Sequence, residues 1–292
     1  MGGGAWTSSA FNTYTTSTRG MDSTTYAFCS NLNVQETFKA RHLHPDMDPR
    51  NVMRECLDTA EHPNTVPVIL ALDVTGSMGK AATEVSKKLG VIMEAIYASG
   101  KVPDVEFCIM AIGDLYCDRA PVQISQFESD VRIAEHLDKI WFEGGGGGNA
   151  FESYTAAWYM GLNHCKLDCW KRGRRGIIIT MGDEQMNPYL QKDGLHDFIG
   201  DSAQDDVETK DLYEQVCERF DVHHISVDDP ASSYSRYNAW NNAIDRSWSL
   251  LGENYHVSTI EKLQETIVGI VTGRVNAENA VAQGTGLKEI SW

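Results

Sequence analysis

The sequence predicts an α/β protein built on a central, mostly parallel β-sheet with helices on both faces. From residue 66 onward, short apolar runs such as residues 68–72 alternate with longer segments of helical periodicity such as residues 81–98. A short apolar run is typical of a strand buried on both faces, and strands separated by helices pair in parallel. Residues 120–125 follow a strand after a turn, so we expect one antiparallel edge strand there.

The predicted elements follow one another without an internal repeat. The predicted strands are residues 68–72, 105–112, 120–125, 176–180, 222–227 and 255–260. The predicted helices are residues 81–98, 127–137, 152–164, 202–220 and 260–272. Residues 139–142 are strand-like, and residues 50–58 are compatible with a short strand or a short helix.

The chain divides into an extension, a domain and a tail. Residues 1–65 are rich in Gly, Ser, Thr and Asn, with single aromatic residues such as Trp6 and Phe11. Such a segment buries too little apolar surface to fold alone, so we expect it to dock on the domain or on a partner, or to remain a loosely attached tail. We assign residues 66–275 to the domain and residues 276–292 to a C-terminal tail.

Charge and cysteine usage restrict the class of function. The 292 residues carry 25 Lys and Arg against 41 Asp and Glu, a formal net charge of −16. This balance argues against sequence-independent binding to nucleic acid or anionic lipid, which requires a basic surface. There is no apolar run of about 20 residues and no secretory signal pattern. Seven scattered cysteines favour a reducing compartment, so we expect a cytoplasmic protein.

Small oxygen-bearing side chains follow the first predicted strand. Asp73, Thr75 and Ser77 stand at alternate positions as the chain leaves residues 68–72. Period-two spacing at a strand exit places them on one side. One carboxylate and two hydroxyls are hard ligands that suit Mg²⁺. By themselves, Thr75 and Ser77 are equally compatible with capping the following helix.

Two further strand ends add oxygen ligands at the same predicted edge. The glycine run at residues 144–148 is followed by Asn149 and Glu152, and Asp183 comes just after the strand at residues 176–180. In parallel sheets, sites form at the carboxyl ends of the strands. We therefore expect the three segments to meet.

Together these motifs resemble a von Willebrand factor A domain and its metal-ion-dependent adhesion site, over about residues 66–273. The Asp-Val-Thr-Gly-Ser-Met segment from Asp73, the glycine loop and the Met-Gly-Asp-Glu segment at Asp183 are similar to a stand-alone group encoded by phages and bacteria. The second loop departs from the family, because glycines and Asn149 replace its usual threonine. Asp183 is also shifted, since Met and Gly separate it from Thr180.

The resemblance implies a bound Mg²⁺, or Mn²⁺ or Ca²⁺, and a binding function without catalysis. The implied ligands are Asp73, Thr75, Ser77 and Asp183, with Asn149 or Glu152 near the metal directly or through water. A partner's Asp or Glu would complete the coordination, so the implied function is a metal-dependent adhesion or adaptor module.

The implied partner is a MoxR-type AAA ATPase or a phage structural protein. The alternative is a structural or assembly component of a phage particle with a residual metal site. The corresponding locations are the host cytoplasm and the virion.

Other residues have competing interpretations. A nucleotide-binding loop is disfavoured because Gly79-Lys80 is followed by Ala81. Asp114 and Asp118 are either turn residues, which we favour, or acids that order water beside the metal.

Two histidine segments also invite a metal interpretation. His164, Cys165 and Cys169 suggest zinc, but a fourth ligand at finger spacing is absent, so ordinary thiols are expected. Of His223 and His224, one ring should face the core as a hydrogen-bonded histidine.

Overall fold

The computed structural model describes residues 4–19, 33–145, 151–228 and 238–282. Its strands are β1 (Arg54–Cys56), β2 (Val66–Asp73), β3 (Val105–Ile112), β4 (Val122–Ile124), β5 (Phe151–Glu152), β6 (Cys165–Leu167), β7 (Gly176–Gly182), β8 (Gln185–Met186), β9 (Tyr189–Leu190), β10 (Val207–Glu208), β11 (Phe220–Asp228) and β12 (Tyr255–Thr259). Its α-helices are α1 (Ser8–Arg19), α2 (Val34–Thr37), α3 (Gly79–Ala98), α4 (Arg132–Lys139), α5 (Ala156–Asn163), α6 (Lys192–Gly194), α7 (Thr209–Cys217), α8 (Asn238–Ser247) and α9 (Leu263–Ala282).

The predicted fold class is confirmed. Six strands form one sheet in the order β12-β11-β7-β2-β3-β4. All neighbours pair in parallel except β3 and β4, which are antiparallel, so β4 is the expected antiparallel edge strand. This mostly parallel sheet is the architecture that the resemblance to von Willebrand factor A domains implied.

Helices cover both faces of the sheet. Val68, Leu70 and Leu72 of β2 pack into a core layer with residues of α3 and α9. Ile69 lies on the opposite face, in a layer that includes Trp158 of α5. Successive strand side chains point to opposite faces, so a continuous apolar strand requires a helical layer on each side.

The described part of the N-terminal segment packs on helix α3. Trp6 and Phe11 are buried, with ring centroids 5.0 Å apart. Phe11 lies against Gly90, where an added Cβ would come within 2.6 Å of the ring. The Tyr14 hydroxyl donates a 2.7 Å hydrogen bond to Asp138. Aromatic burial on the domain thus supplies the core that this segment cannot build alone.

Several predicted helices begin later than expected. The helix predicted at residues 152–164 starts at Ala156, because Phe151 and Glu152 form β5 and pair with β8. The helix predicted at residues 202–220 is only α7, since residues 207–208 pair with β9. Pairing with distant strands, which the local pattern does not encode, overrides helical periodicity in both places.

The remaining differences lie at element boundaries. The helix predicted at residues 127–137 is α4, Arg132–Lys139, because residue 128 pairs with β3. Lys139 therefore ends a helix, and residues 140–142 form no strand. Within residues 50–58, the strand interpretation holds as β1. Helix α9 continues to Ala282, through the boundary placed at residue 275. Among the described residues, no helix is long and apolar enough to cross a membrane.

Candidate metal centre

Two acids meet where β2 and β7 end side by side. Asp73 is the last residue of β2 and is completely buried. Asp183 follows Gly182, the last residue of β7. Because the two strands pair in parallel, Leu72 lies opposite Met181 and both carboxylates lie at the same edge. The predicted meeting of Asp73 and Asp183 therefore follows from the sheet register.

The Asp73 carboxylate is held by three hydrogen bonds. Its Oδ1 accepts the backbone N–H of Thr75 at 2.8 Å and the Thr75 hydroxyl at 2.5 Å. Its Oδ2 accepts the Tyr154 hydroxyl at 2.7 Å. The Thr75 side chain makes no capping hydrogen bond to the following 3₁₀ helix, Gly76–Met78, so the capping interpretation is not supported for this residue.

Ser77 reaches the second acid instead of the first. Its hydroxyl donates a 3.0 Å hydrogen bond to Oδ1 of Asp183. The chain turns into the 3₁₀ helix at Gly76, so extended alternation ends at this point. Thr75 and Ser77 thus contact different carboxylates, and together they connect the ends of β2 and β7.

The glycine run crosses the turn after β2. Gly76 donates a 2.8 Å hydrogen bond to the carbonyl of Gly145, and Gly144 donates to Val74 at 3.2 Å. Gly144 has φ of +66°, a conformation that favours glycine. A Cβ on Gly76 would lie only 3.2 Å from the Gly144 carbonyl. The first two predicted loops therefore touch, while Asn149 lies outside the described residues.

Glu152 enters the site through strand pairing. It lies on β5 opposite Met186 of β8, and its side chain is buried. Its Oε2 has no hydrogen-bond partner among the described residues. Burial, followed by the negative charge of Asp73, raises the pKa of Glu152 to about 10. A buried, unpartnered carboxyl oxygen is costly unless a proton or a cation compensates it.

The pKa values of the other acids at this edge are also raised. Burial and the neighbouring charge of Asp183 raise the pKa of Asp73 to about 7. Burial raises the pKa of Asp183, although the Ser77 hydrogen bond opposes that shift. Burial, with the charges of Asp183 and Asp73, raises the pKa of Glu184 to about 7. The charged neighbours that contribute to these pKa shifts are all acids. A bound cation would offset their negative charge, so the edge favours one.

The donors fit a hard divalent ion in part. Carboxylates and hydroxyls are the ligands that Mg²⁺ and Ca²⁺ prefer, and Glu152 and Glu184 each have one buried oxygen without a hydrogen-bond partner among the described residues. A carboxylate oxygen has two lone pairs, so Asp73 retains acceptor capacity beside its hydrogen bonds. However, within the described ranges no three His, Cys, Asp or Glu side chains are arranged to hold a metal ion together. Any metal would depend on hydroxyls, water and a partner's ligand.

Sequence reasoning missed two members of this cluster. Tyr154 binds Asp73 across 81 positions, and only tertiary packing brings them together. Glu184 directly follows the predicted ligand Asp183. This adjacency in the sequence could have predicted that Glu184 lies at the same edge. Tyr154 lies outside the recognised motifs, whereas Glu184 is the last residue of the Met-Gly-Asp-Glu segment.

Asp114 and Asp118 form the turn that we favoured. Asp118 accepts the backbone N–H of Asp114 at 2.8 Å, and the Asp114 carbonyl accepts the N–H of Asp118 at 3.0 Å. The Ser153 hydroxyl donates to Asp114 at 3.3 Å. The turn therefore lies beside the segment that carries Glu152.

His164 and His224 each contact a polar side chain of the fold. His164 lies within 2.8 Å of Asp201 Oδ2, while Cys165 and Cys169 are buried free thiols. His224 is the inward ring: Nδ1 lies 2.9 Å from the Thr180 hydroxyl, and the ring stacks on Trp248 at 3.5 Å.

Comparisons with known proteins give similarity at the level of the fold. No protein-family model and no curated protein matches the chain. Among solved structures, the chain is similar to the pilus adhesin SpaC from Lactobacillus rhamnosus GG in its open conformation. The TM-score is 0.47 at 12% identity, covering 78% of this chain and 31% of SpaC. The chain thus spans about a third of that protein's length.

Two further structures are similar over nearly their whole length. BatB, a conserved hypothetical protein from Bacteroides thetaiotaomicron, has a TM-score of 0.44 at 12% identity, covering 73% of this chain and 99% of BatB. The vWF domain of the type V pili tip protein Mfa5 from Porphyromonas gingivalis has a TM-score of 0.43 at 10% identity, covering 78% and 98%. These likenesses concern the chain fold and do not extend to site residues or partners.

Proposed function

We propose that the protein is a divalent-metal-dependent protein-binding module, used in adhesion or as an adaptor. Asp73, Thr75, Ser77 and Asp183 would hold Mg²⁺, or Mn²⁺ or Ca²⁺, with Glu152 or Asn149 nearby. The observation that carries the proposal is the set of buried acids Asp73, Asp183 and Glu152. Burial raises the pKa of each, and the negative charge of a neighbouring acid adds to the shift of Asp73 and of Glu152.

The chain's own residues prepare this edge for a partner. Thr75 and Tyr154 orient the Asp73 carboxylate, and Ser77 orients that of Asp183. When bound, the metal would supply positive charge and an open position for a carboxylate from the partner. Such a contact allows a protein of net charge −16 to recognise an acidic partner.

The partner would be a protein that presents Asp or Glu. A MoxR-type AAA ATPase or a phage structural protein remains the proposed class, and the host cytoplasm or the virion the proposed location. The proposed activity is binding without catalysis.

Calorimetric titration of Mg²⁺ into the wild type and Asp73→Asn tests the metal site directly. The substitution keeps the acceptor for Thr75 and removes one charge, so we expect Mg²⁺ affinity to fall at least tenfold. Asp205→Asn, at an exposed acid, is the matched control and should bind like the wild type. Equal Mg²⁺ binding by all three proteins would overturn the site assignment.

Capture of partners with and without EDTA tests the function itself. We expect a partner retained by the wild type in Mg²⁺, released by EDTA, and lost with Asp73→Asn. If Mg²⁺ binds at Asp73 but every partner is retained in EDTA, the metal has a structural role and the adhesion proposal fails.

A further inference from the structure

A pair of histidines lies on the face of the sheet opposite to the buried His224. Side chains alternate along β11, so His223 shares a face with Asp221 and Ile225 rather than with His224. Nδ1 of His223 and Nε2 of His256, on β12, are 3.2 Å apart. The two rings are nearly parallel, with centroids 5.4 Å apart and an interplanar angle of 23°.

The pair opens into a groove beneath helix α9. The groove has a volume of about 590 Å³, and two glycines of α9, Gly269 and Gly273, form part of its wall. An added Cβ at either glycine would meet no atom of the described residues within 4 Å. Glycine inside a helix is less favourable than alanine. Since no close approach requires these glycines, their effect is to leave space beside the histidines.

The groove is lined by groups whose charges already compensate each other. Arg175 forms an ion pair with Asp221, with N and O atoms 2.5 Å apart. Burial lowers the pKa of His256, so this ring is largely neutral at neutral pH. The most distinctive feature of the groove is therefore a pair of neighbouring imidazole nitrogens.

The separation of these nitrogens matches a shared metal ion. Zn²⁺ binds histidine nitrogen at about 2.0–2.1 Å in tetrahedral geometry, which places two such nitrogens about 3.3 Å apart. The observed distance is 3.2 Å. Without metal, one ring donates to the other across this distance. Each neutral ring can carry its proton on its other nitrogen, so both facing lone pairs can be offered together.

We propose that His223 and His256 form a bis-imidazole site for a divalent transition metal such as Zn²⁺ or Ni²⁺. The two ring nitrogens are the protein ligands, and water or a bound molecule completes the coordination within the groove. Imidazole suits these ions, whereas Mg²⁺ prefers oxygen. The site is thus chemically distinct from the candidate metal centre and does not depend on the proposed function.

Titration of Zn²⁺ into the Cys117→Ser protein tests this site. Saturating Mg²⁺ is present throughout, so that the candidate metal centre is occupied. The background removes the exposed free thiol of Cys117, because thiols are themselves zinc ligands. We expect one Zn²⁺ equivalent, with affinity at least tenfold weaker in His256→Asn. His42→Asn, at an exposed histidine elsewhere, is the matched control and should bind like the background protein.

A second variant tests the groove without touching either histidine. Gly269→Leu adds a side chain into open space, so the fold should tolerate it while the groove is filled. We expect weaker Zn²⁺ binding here too, and shifted ring ¹⁵N resonances of His223 and His256 in the background protein. Unchanged binding in both His256→Asn and Gly269→Leu would overturn the proposal. Binding of inorganic phosphate instead of Zn²⁺ would likewise overturn it and indicate an anion site.

Discussion

The hydroxyl of Tyr154 donates a 2.7 Å hydrogen bond to Oδ2 of Asp73, and both side chains are completely buried. Tyr154 lies two positions after Glu152, the last residue of β5, and two positions before Ala156, the first residue of α5. Its position therefore depends on the pairing of β5 with β8 as well as on the start of α5. The contact ties the segment that carries Glu152 to the end of β2. It thereby links two of the loops that the proposed function requires.

Tyr154→Phe should destabilise the metal-free protein by about 1–3 kcal/mol, because it leaves a buried carboxylate oxygen without its donor. The ring and its contacts with His224 and Trp248 are retained. The free energy of unfolding in urea is the measurement.

Tyr255→Phe is the matched control for that prediction. The Tyr255 hydroxyl also donates to a carboxylate, that of Asp245, but at an exposed position. Exposed substitutions usually change stability by no more than about 0.5 kcal/mol. Equal losses in the two variants would contradict a special role for the buried bond.

Gly182→Ala should be strongly destabilising, since the new Cβ would overlap the Tyr154 hydroxyl and ring. Tyr154 is buried on all sides, so it cannot move away without breaking its bond to Asp73. We expect a loss above the roughly 1 kcal/mol typical of point substitutions. Thermal or urea unfolding would measure it.

Gly269→Ala should stabilise the protein, although it is the same substitution as Gly182→Ala. Its Cβ would enter open space in helix α9, so helix propensity predicts a gain of up to about 1 kcal/mol. A destabilisation of similar size at both glycines would show that close packing at Gly182 is not the cause.

Gly90→Ala should release the N-terminal helix without unfolding the domain. The new Cβ would lie 2.6 Å from the Phe11 ring, which must shift, while alanine favours helix α3 itself. We expect faster proteolysis within α1 and an unchanged or higher unfolding midpoint for the domain. Val91→Ala, at the exposed neighbouring position, should leave proteolysis unchanged. Wild-type protease resistance in Gly90→Ala would contradict docking of Phe11 at this glycine.

His136 should make the fold sensitive to acid. Burial, with the charges of Lys139, Arg54 and Arg132, lowers its pKa from 6.5 to about 4, although Asp46 opposes the shift. Between pH 4 and pH 6.5, His136 is protonated in the unfolded chain and neutral in the folded protein. Stability is therefore retained above pH 6.5 and falls as pH is lowered towards 4.

The stability difference between wild type and His136→Gln at two pH values measures this effect. At about 1.4 kcal/mol per pH unit, the wild type should lose about 2 kcal/mol more than the variant between about pH 7.5 and about pH 5. His42→Gln, at an exposed histidine, should follow the wild type. Parallel pH profiles for wild type and His136→Gln would exclude His136 as the source.

Local sequence patterns predicted much of the fold. The apolar run that contains Leu70 predicted a strand buried on both faces, and its two layers are observed. The helix predicted at residues 152–164 was wrong at its start, because Glu152 pairs with Met186 on another strand. Side-chain periodicity reports the environment along one segment, but it carries no information about a partner 34 positions away.

The sequence by itself determined the alternation of strands and helices and the placement of Asp73 and Asp183 directly after strands. Parallel pairing of β2 and β7 then brings those acids to one edge. Only the tertiary structure decided that Tyr154 binds Asp73, that Ser77 binds Asp183, and that His223 faces His256. These contacts depend on strand register and helix packing between distant segments, which are set by the burial of the whole core rather than by spacing along the chain.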